Sequence, residues 1–277
     1  MDFKNFLLET LLTEGGRAVK GTSPISQSDA RKLGPQLATQ LARELKLSGS
    51  KVKMVGSAGK KPEDQLSGDI DIAVEIDDLE AVKEVVEKLA VQGKFKHMKG
   101  INIYSFAAQN GEQLVQVDVI PVSSIKFAIW SYAATEDDLK QGLKGAHRNE
   151  LFFAIARHAD PKVLKKTADG KPLEIERLFY DLSNGLMRGK RSYEGKKGQV
   201  TKGAKVLSKD VVSAIPNEVA KYLFGDGFAA KDVETFDSTL SAIQSSDFRY
   251  KEQRDEILDT ALKGIKKKEL KIPKSLG

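Results

Sequence analysis

Residues 69–76 read Asp-Ile-Asp-Ile-Ala-Val-Glu-Ile, and this alternation constrains the chain more than any other stretch. Successive side chains on a strand point to opposite faces. Ile70, Ile72 and Val74 therefore share one face, which the rest of the fold must cover, while Asp69, Asp71, Ala73 and Glu75 share the other. Three acids on one side of a strand need a separate explanation. A second strand signal, Val115-Gln-Val-Asp-Val-Ile120, puts Asp118 inside an apolar run. Residues two apart on a strand lie about 7 Å apart along the chain, so Asp69 and Asp71 can reach one divalent cation. A carboxylate from a neighbouring strand would complete the cluster. Left bare, such a cluster repels itself, and Mg²⁺ or Mn²⁺, which prefer oxygen ligands, are the natural compensation. Aspartates at strand ends also serve simply to cap or blunt an edge; it is the convergence of three that favours a metal.

The flanking pattern gives these strands a setting. Ser28 or Asp29 can cap a helix running to about residue 47, with Leu33, Leu37, Leu41 and Leu45 as its apolar stripe. Residues 51–55 alternate as a strand and end in the turn Gly56-Ser57. Residues 78–92 pattern as a helix, and residues 101–107 and 113–120 as two strands joined at Asn110-Gly111. Beyond about residue 135 helical periodicity dominates, at 136–158, 173–186, 209–223, 231–243 and 248–265. The expected fold is α+β: an N-terminal arm (1–24) beginning with a short amphipathic helix (1–12), a small mixed β-sheet core flanked by helices (25–134), and a mainly helical C-terminal domain (135–277).

Val55-Gly56-Ser57 bears on the same chemistry. A glycine there lets the backbone approach a phosphate, and the serine hydroxyl with adjacent amides can donate to its oxygens. The whole order is Val55-Gly56-Ser57, eleven residues, Asp69-Ile70-Asp71-Ile72, and later Val117-Asp118-Val119. Over residues 28–124 this resembles the nucleotidyltransferase superfamily with the DNA polymerase β type of catalytic core. The resemblance implies a metal-dependent transfer of a nucleoside monophosphate from an NTP to an acceptor hydroxyl, with release of pyrophosphate. It implies two Mg²⁺ or Mn²⁺ ions, both held by Asp69 and Asp71, with Asp118 joining at the one nearest the acceptor. Gly56 and Ser57 would hold the triphosphate. Lys60 and Lys61, in the loop before Asp69, and Lys144 and Arg148, one helical turn apart, are candidates to grip the nucleotide.

Composition narrows the alternatives. The 277 residues suit one large domain or two ordinary ones. The absence of cysteine excludes a disulfide framework, a zinc–thiolate site and a cysteine nucleophile, and suggests a cytoplasmic setting. No apolar run is long enough to span a membrane, and the N-terminus lacks the charge pattern of an export signal. The formal charge of +6 is concentrated. Residues 186–205 hold Arg188, Lys190, Arg191, Lys196, Lys197, Lys202 and Lys205 against Glu194, and residues 263–274 hold six lysines against Glu269. With Phe179, Tyr180 and Tyr193 close by, Arg188, Lys190, Arg191, Lys196 and Lys197 are candidate nucleic-acid contacts, and an RNA such as a tRNA end is the expected acceptor. The alternatives are a non-catalytic nucleic-acid-binding protein on the same fold, and transfer to a protein or small-molecule hydroxyl.

Overall fold

The computed structural model describes residues 18–99, 101–159, 161–167, 170–194 and 200–276. The helix expected at 1–12 lies outside these, as do Lys196 and Lys197. The chain divides into two compact units, Met1–Ala146 with Lys266–Lys271, and His147–Ile265 with Ile272–Gly277.

The first unit is built on a five-stranded sheet. Its strands are β1 (Val52–Val55), β2 (Asp69–Glu75), β3 (Phe95–Met98), β4 (Ile103–Asn110) and β5 (Gln113–Val122), in the order β1-β2-β5-β4-β3. β2 and β5 run parallel, and the other pairings are antiparallel. The apolar face of β2 is covered as its alternation requires. Helix α1 (Gln27–Glu44) contributes Leu37 and Leu41, and helix α2 (Leu79–Leu89) contributes Val82 and Val86. Both pack with Ile70, Ile72, Val74, Phe106, Val117 and Val119 in one core. Ser26, two residues before Ser28 and three before Asp29, closes the α1 N-terminus by accepting from the Asp29 amide. Asp78 caps α2 in the same way by accepting from Ala81.

The acidic face has its own smaller core beside the acids. Val55, Ala73, Ile120 and Val122 pack there against Ile125 and Ala128 of helix α3 (Ile125–Ser131). Glu75, the last acid of the β2 alternation, accepts a hydrogen bond from the Ile125 amide at 3.0 Å and pairs with Lys51 at 3.5 Å. It serves the start of α3 and is not part of the aspartate cluster. The helix expected at 136–158 is two helices, α4 (Glu136–Lys140) and α5 (Gly145–His158), separated at Gly142.

The second unit corrects the expectation of a mainly helical C-terminal half. Residues 162–213 form a four-stranded antiparallel sheet: β6 (Lys162–Lys166), β7 (Pro172–Asp181), β8 (Gly185–Glu194) and β9 (Val200–Ser213), in that order. The helix expected at 173–186 is strand β7, the turn after it and the first residues of β8. Asp181 accepts from the Ser183 and Asn184 amides and folds the chain back at Asn184-Gly185. Pairing on both sides of β8 then overrides the helical spacing of Ile175, Leu178, Phe179 and Leu182. Likewise β9 persists to Ser213, and helix α6 (Pro216–Phe224) begins only where Pro216 can occupy its first turn. Helices α7 (Phe236–Gln244) and α8 (Arg254–Lys267) complete the unit. Tyr180 is buried edge-on against Phe152 and Phe153 of α5. Among the described residues no helix is long and apolar enough to cross a membrane.

Candidate metal centre

The parallel pairing of β2 with β5 brings the three aspartates together. Asp71 stands directly opposite Asp118 and Asp69 opposite Gln116, so all four side chains project from one face. Asp69, Asp71 and Asp118 can each present a carboxylate oxygen within 4.8 Å of the others. Asp71 lies between Val55 on β1 and Asp118 on β5, and Asp118 lies opposite Ser105 on β4. The cluster is thus held on the rigid middle of the sheet and not on loops.

Its electrostatics are those of carboxylates pressed together and partly withdrawn from water, Asp118 buried and Asp69 and Asp71 half-buried. Burial first, then the Asp69 and Asp118 charges, holds the Asp71 carboxyl well above the usual range, against the opposing pull of Lys144 and Lys61. Asp118, 7% exposed, is pushed up to about 7 by burial and then by Asp69, with the Ser105 hydroxyl and the Gln116 amide drawing it back down. Gln116 is fully buried and fixed in orientation. Its Oε1 accepts from the Val19 amide at 3.0 Å, which leaves its Nε2 to donate to Asp118 Oδ1 at 2.9 Å. Three repelling carboxylates are what a divalent cation would neutralise, and the oxygen-only donor set suits Mg²⁺ or Mn²⁺.

Gly56 is fitted to this cluster. Its φ is +71°, and a Cβ at that position would stand 2.2 Å from Asp71 Oδ2. Only glycine allows β1 to turn away so close beneath the carboxylate. Ser57, half-buried, follows at the start of the loop, where its carbonyl accepts from the Lys60 amide at 3.1 Å. The fully buried Gln27 side chain holds both ends of this loop. Its Oε1 accepts from the Gly59 and Lys61 amides at 2.8 and 3.3 Å, and its Nε2 donates to the Gln65 carbonyl at 2.8 Å and to Ser67 Oγ at 3.1 Å. Neither Gln27 nor Gln116 was expected as a site residue. Their signal is positional: Gln116 precedes Asp118 by two on one strand face, but which strand lies opposite is not written in the local sequence.

Cations ring the acids. The Lys61 ammonium donates to the Leu66 carbonyl at 3.1 Å. Burial and the nearby Lys144 hold its pKa below the ordinary lysine range, while Asp69 and Asp71 pull it up. Lys60 is lowered by burial and raised by Asp71. Lys144, exposed just before α5, is close enough for its charge to act on both Asp71 and Lys61. Arg148 belongs to the second unit. The guanidinium is 1% exposed, donates to the Glu234 carbonyl and lies 5.4 Å from the Phe152 ring centre. Arg148 is thus packed within the second unit.

The expected basic stretch is likewise divided by strand β8. Arg188 and Lys190 project from one face of the second sheet with Glu176 and Asp210, and Arg188 Nε lies 3.9 Å from Glu176 Oε1. Arg191 projects from the opposite face. No family model matches the chain, and no curated protein matches it at a significant level.

Proposed function

We propose that the chain is a metal-dependent nucleotidyltransferase of the DNA polymerase β-like type, transferring a nucleoside monophosphate from an NTP to an acceptor hydroxyl. The reading is carried by one observation: Asp71 and Asp118 face each other on neighbouring parallel strands, with Asp69 two residues along, and the three carboxylates converge within 4.8 Å. The Gly56 approach beneath Asp71 and the surrounding lysines support it. Asp69, Asp71 and Asp118 would hold Mg²⁺ or Mn²⁺, which would neutralise the developing phosphate charge and acidify the acceptor hydroxyl.

The chain's own groups then have distinct tasks. Lys61 and Lys144 bind the triphosphate opposite the acids and orient it for in-line attack. The loop after Gly56, fixed by Gln27, keeps that backbone in place. The acceptor oxygen bonds to the α-phosphorus, the bond from that phosphorus to the bridging oxygen breaks, and pyrophosphate leaves. The hydroxyl proton passes to Asp118, whose carboxylate Gln116 orients.

The test uses two isotopic labels. Incubation with Mg²⁺, cellular RNA or protein, and α-labelled NTP should deposit label on an acceptor, whereas γ-labelled NTP should release it as pyrophosphate. Asp118→Asn should abolish the transfer. Absence of transfer from all four NTPs, with Mg²⁺ and with Mn²⁺, would sink the proposal in favour of a binding protein on this fold.

A further inference from the structure

The second sheet separates its charges by face. The face bearing Arg188 and Lys190 also carries Glu174, Glu176 and Asp210, an ordinary mixed surface. On the opposite face the register aligns Phe179 with Met187, Arg177 with Gly189 and Lys209, and Ile175 with Arg191, and Tyr193 follows on the same side. Asp181, at the turn end of this face, is engaged by the Ser183 and Asn184 amides. Among the described residues Arg157, Arg177, Arg191 and Lys209 form no ion pair. Burial first, then the charges of Arg191 and Arg157, holds the Arg177 guanidinium below its ordinary range, while Tyr193 opposes the shift. Like charges set side by side on a sheet destabilise it, so a grouping of this kind points to a polyanion that neutralises it.

The aromatic residues make the polyanion more specific. Gly189 has no Cβ, and one placed there would come within 2.8 Å of Phe179 Cε1, so the bare backbone gives the ring its seat on the sheet. The Lys209 ammonium lies 5.4 Å from that ring's centre. Arg177 Nη2 and the Tyr193 hydroxyl are 3.2 Å apart, which fixes a guanidinium beside a second half-exposed ring. Cations for phosphates, interleaved with rings on which bases can stack, are the two elements of single-strand recognition on a sheet.

We propose that this face, formed by Arg177, Arg191, Lys209, Phe179 and Tyr193 with Arg157 of α5 nearby, binds single-stranded nucleic acid. The assignment is independent of the aspartate cluster and of any reaction there. Phosphates contact the arginines and Lys209, and a base stacks at Phe179.

Fluorescence anisotropy of the full chain with a labelled 15-nucleotide single strand tests this, with RNA and DNA arms of one sequence and EDTA throughout to remove any metal contribution. Arg177→Gln with Arg191→Gln should weaken binding about tenfold or more and reduce the salt slope by about 1.4. Arg188→Gln with Lys190→Gln, on the opposite face, should change it less than twofold. Phe179→Leu should weaken the single strand several-fold while leaving heparin binding unchanged, because only the base contact is lost. A duplex of the same sequence should bind at least tenfold more weakly. Circular dichroism and melting of each variant confirm folding. Equal loss from the two arginine-containing pairs, full binding by the Arg177/Arg191 variant, parallel loss of heparin in Phe179→Leu, or equal binding of the duplex would each overturn the assignment. Binding by both arms places recognition in the shared phosphates and bases; binding by one places it in the sugar as well.

Discussion

Neutralising Asp118 should stabilise the metal-free protein, and the size of the effect follows from its surroundings. Its carboxyl is pushed up to about 7 from an ordinary 3.8. For an acid raised in the folded state, the contribution to stability is full below the unfolded value and is lost as pH rises through the folded one. Between pH 4 and pH 7 the wild type therefore loses stability that Asp118→Asn retains. At about 1.4 kcal/mol for each tenfold change in acidity, the difference at pH 8 approaches about 4 kcal/mol. This is an upper bound, because the repulsion is shared with Asp69 and Asp71. The asparagine keeps an oxygen for the Gln116 amide to donate to, so little packing is lost. Urea unfolding in EDTA at pH 5, 6, 7 and 8 measures the gap, followed by a signal from the first unit such as Trp130 fluorescence. The gap should widen with pH. Added Mg²⁺ should then narrow it, since a ligand at a hundred times its Kd contributes about 2.7 kcal/mol to the wild type alone. A less stable Asp118→Asn at pH 8 in EDTA, or a gap that does not depend on pH, would mean that Asp118 carries no such electrostatic cost.

Three further substitutions separate the parts of the site. Gly56→Ala places a Cβ 2.2 Å from Asp71 Oδ2 at a positive φ, so it should cost about 1–3 kcal/mol and abolish divalent-ion binding, both read from denaturation with and without Mn²⁺. Gln27→Ala leaves Gly59, Lys61 and Ser67 without their common partner; it should cost about 1–3 kcal/mol and expose residues 57–67 to limited proteolysis. Lys61→Ala and Lys144→Ala remove phosphate-binding charge but no metal ligand, so each should weaken nucleotide binding about tenfold in a titration with labelled ATP while Mn²⁺ affinity is retained.

The sequence made the first sheet legible because its signals are local and agree with one another. The β2 alternation, the turn at Gly56-Ser57 and the capped α2 each point the same way, and Asp118 sits inside an unmistakable apolar run. The short edge strand β3 carries no such pattern: Phe95-Lys-His-Met has one half-buried apolar residue at each end, and it exists because β4 offers it a ladder. The second sheet was obscured for a different reason. Residues 173–182 satisfy a helical spacing as well as an alternating one, and the decision belongs to the Asn184-Gly185 turn, which makes β8 available as a partner. The same pairing decides where the basic residues point. On a helix or loop Arg188, Lys190 and Arg191 form one patch, whereas a strand sends Arg191 to the other face. The spacing of Lys144 and Arg148 says nothing of burial, and α5 packs Arg148 beside the Phe152 ring.

Whether Asp69, Asp71 and Asp118 form one divalent-cation site is read from Mn²⁺ binding monitored by electron paramagnetic resonance on metal-free protein. Wild type should bind Mn²⁺ in the micromolar to millimolar range, be competed by Mg²⁺, and take up a second ion when an NTP is added. Asp71→Asn should lose that binding while remaining folded. Equal Mn²⁺ binding by wild type and Asp71→Asn, or none by either, would contradict such a site.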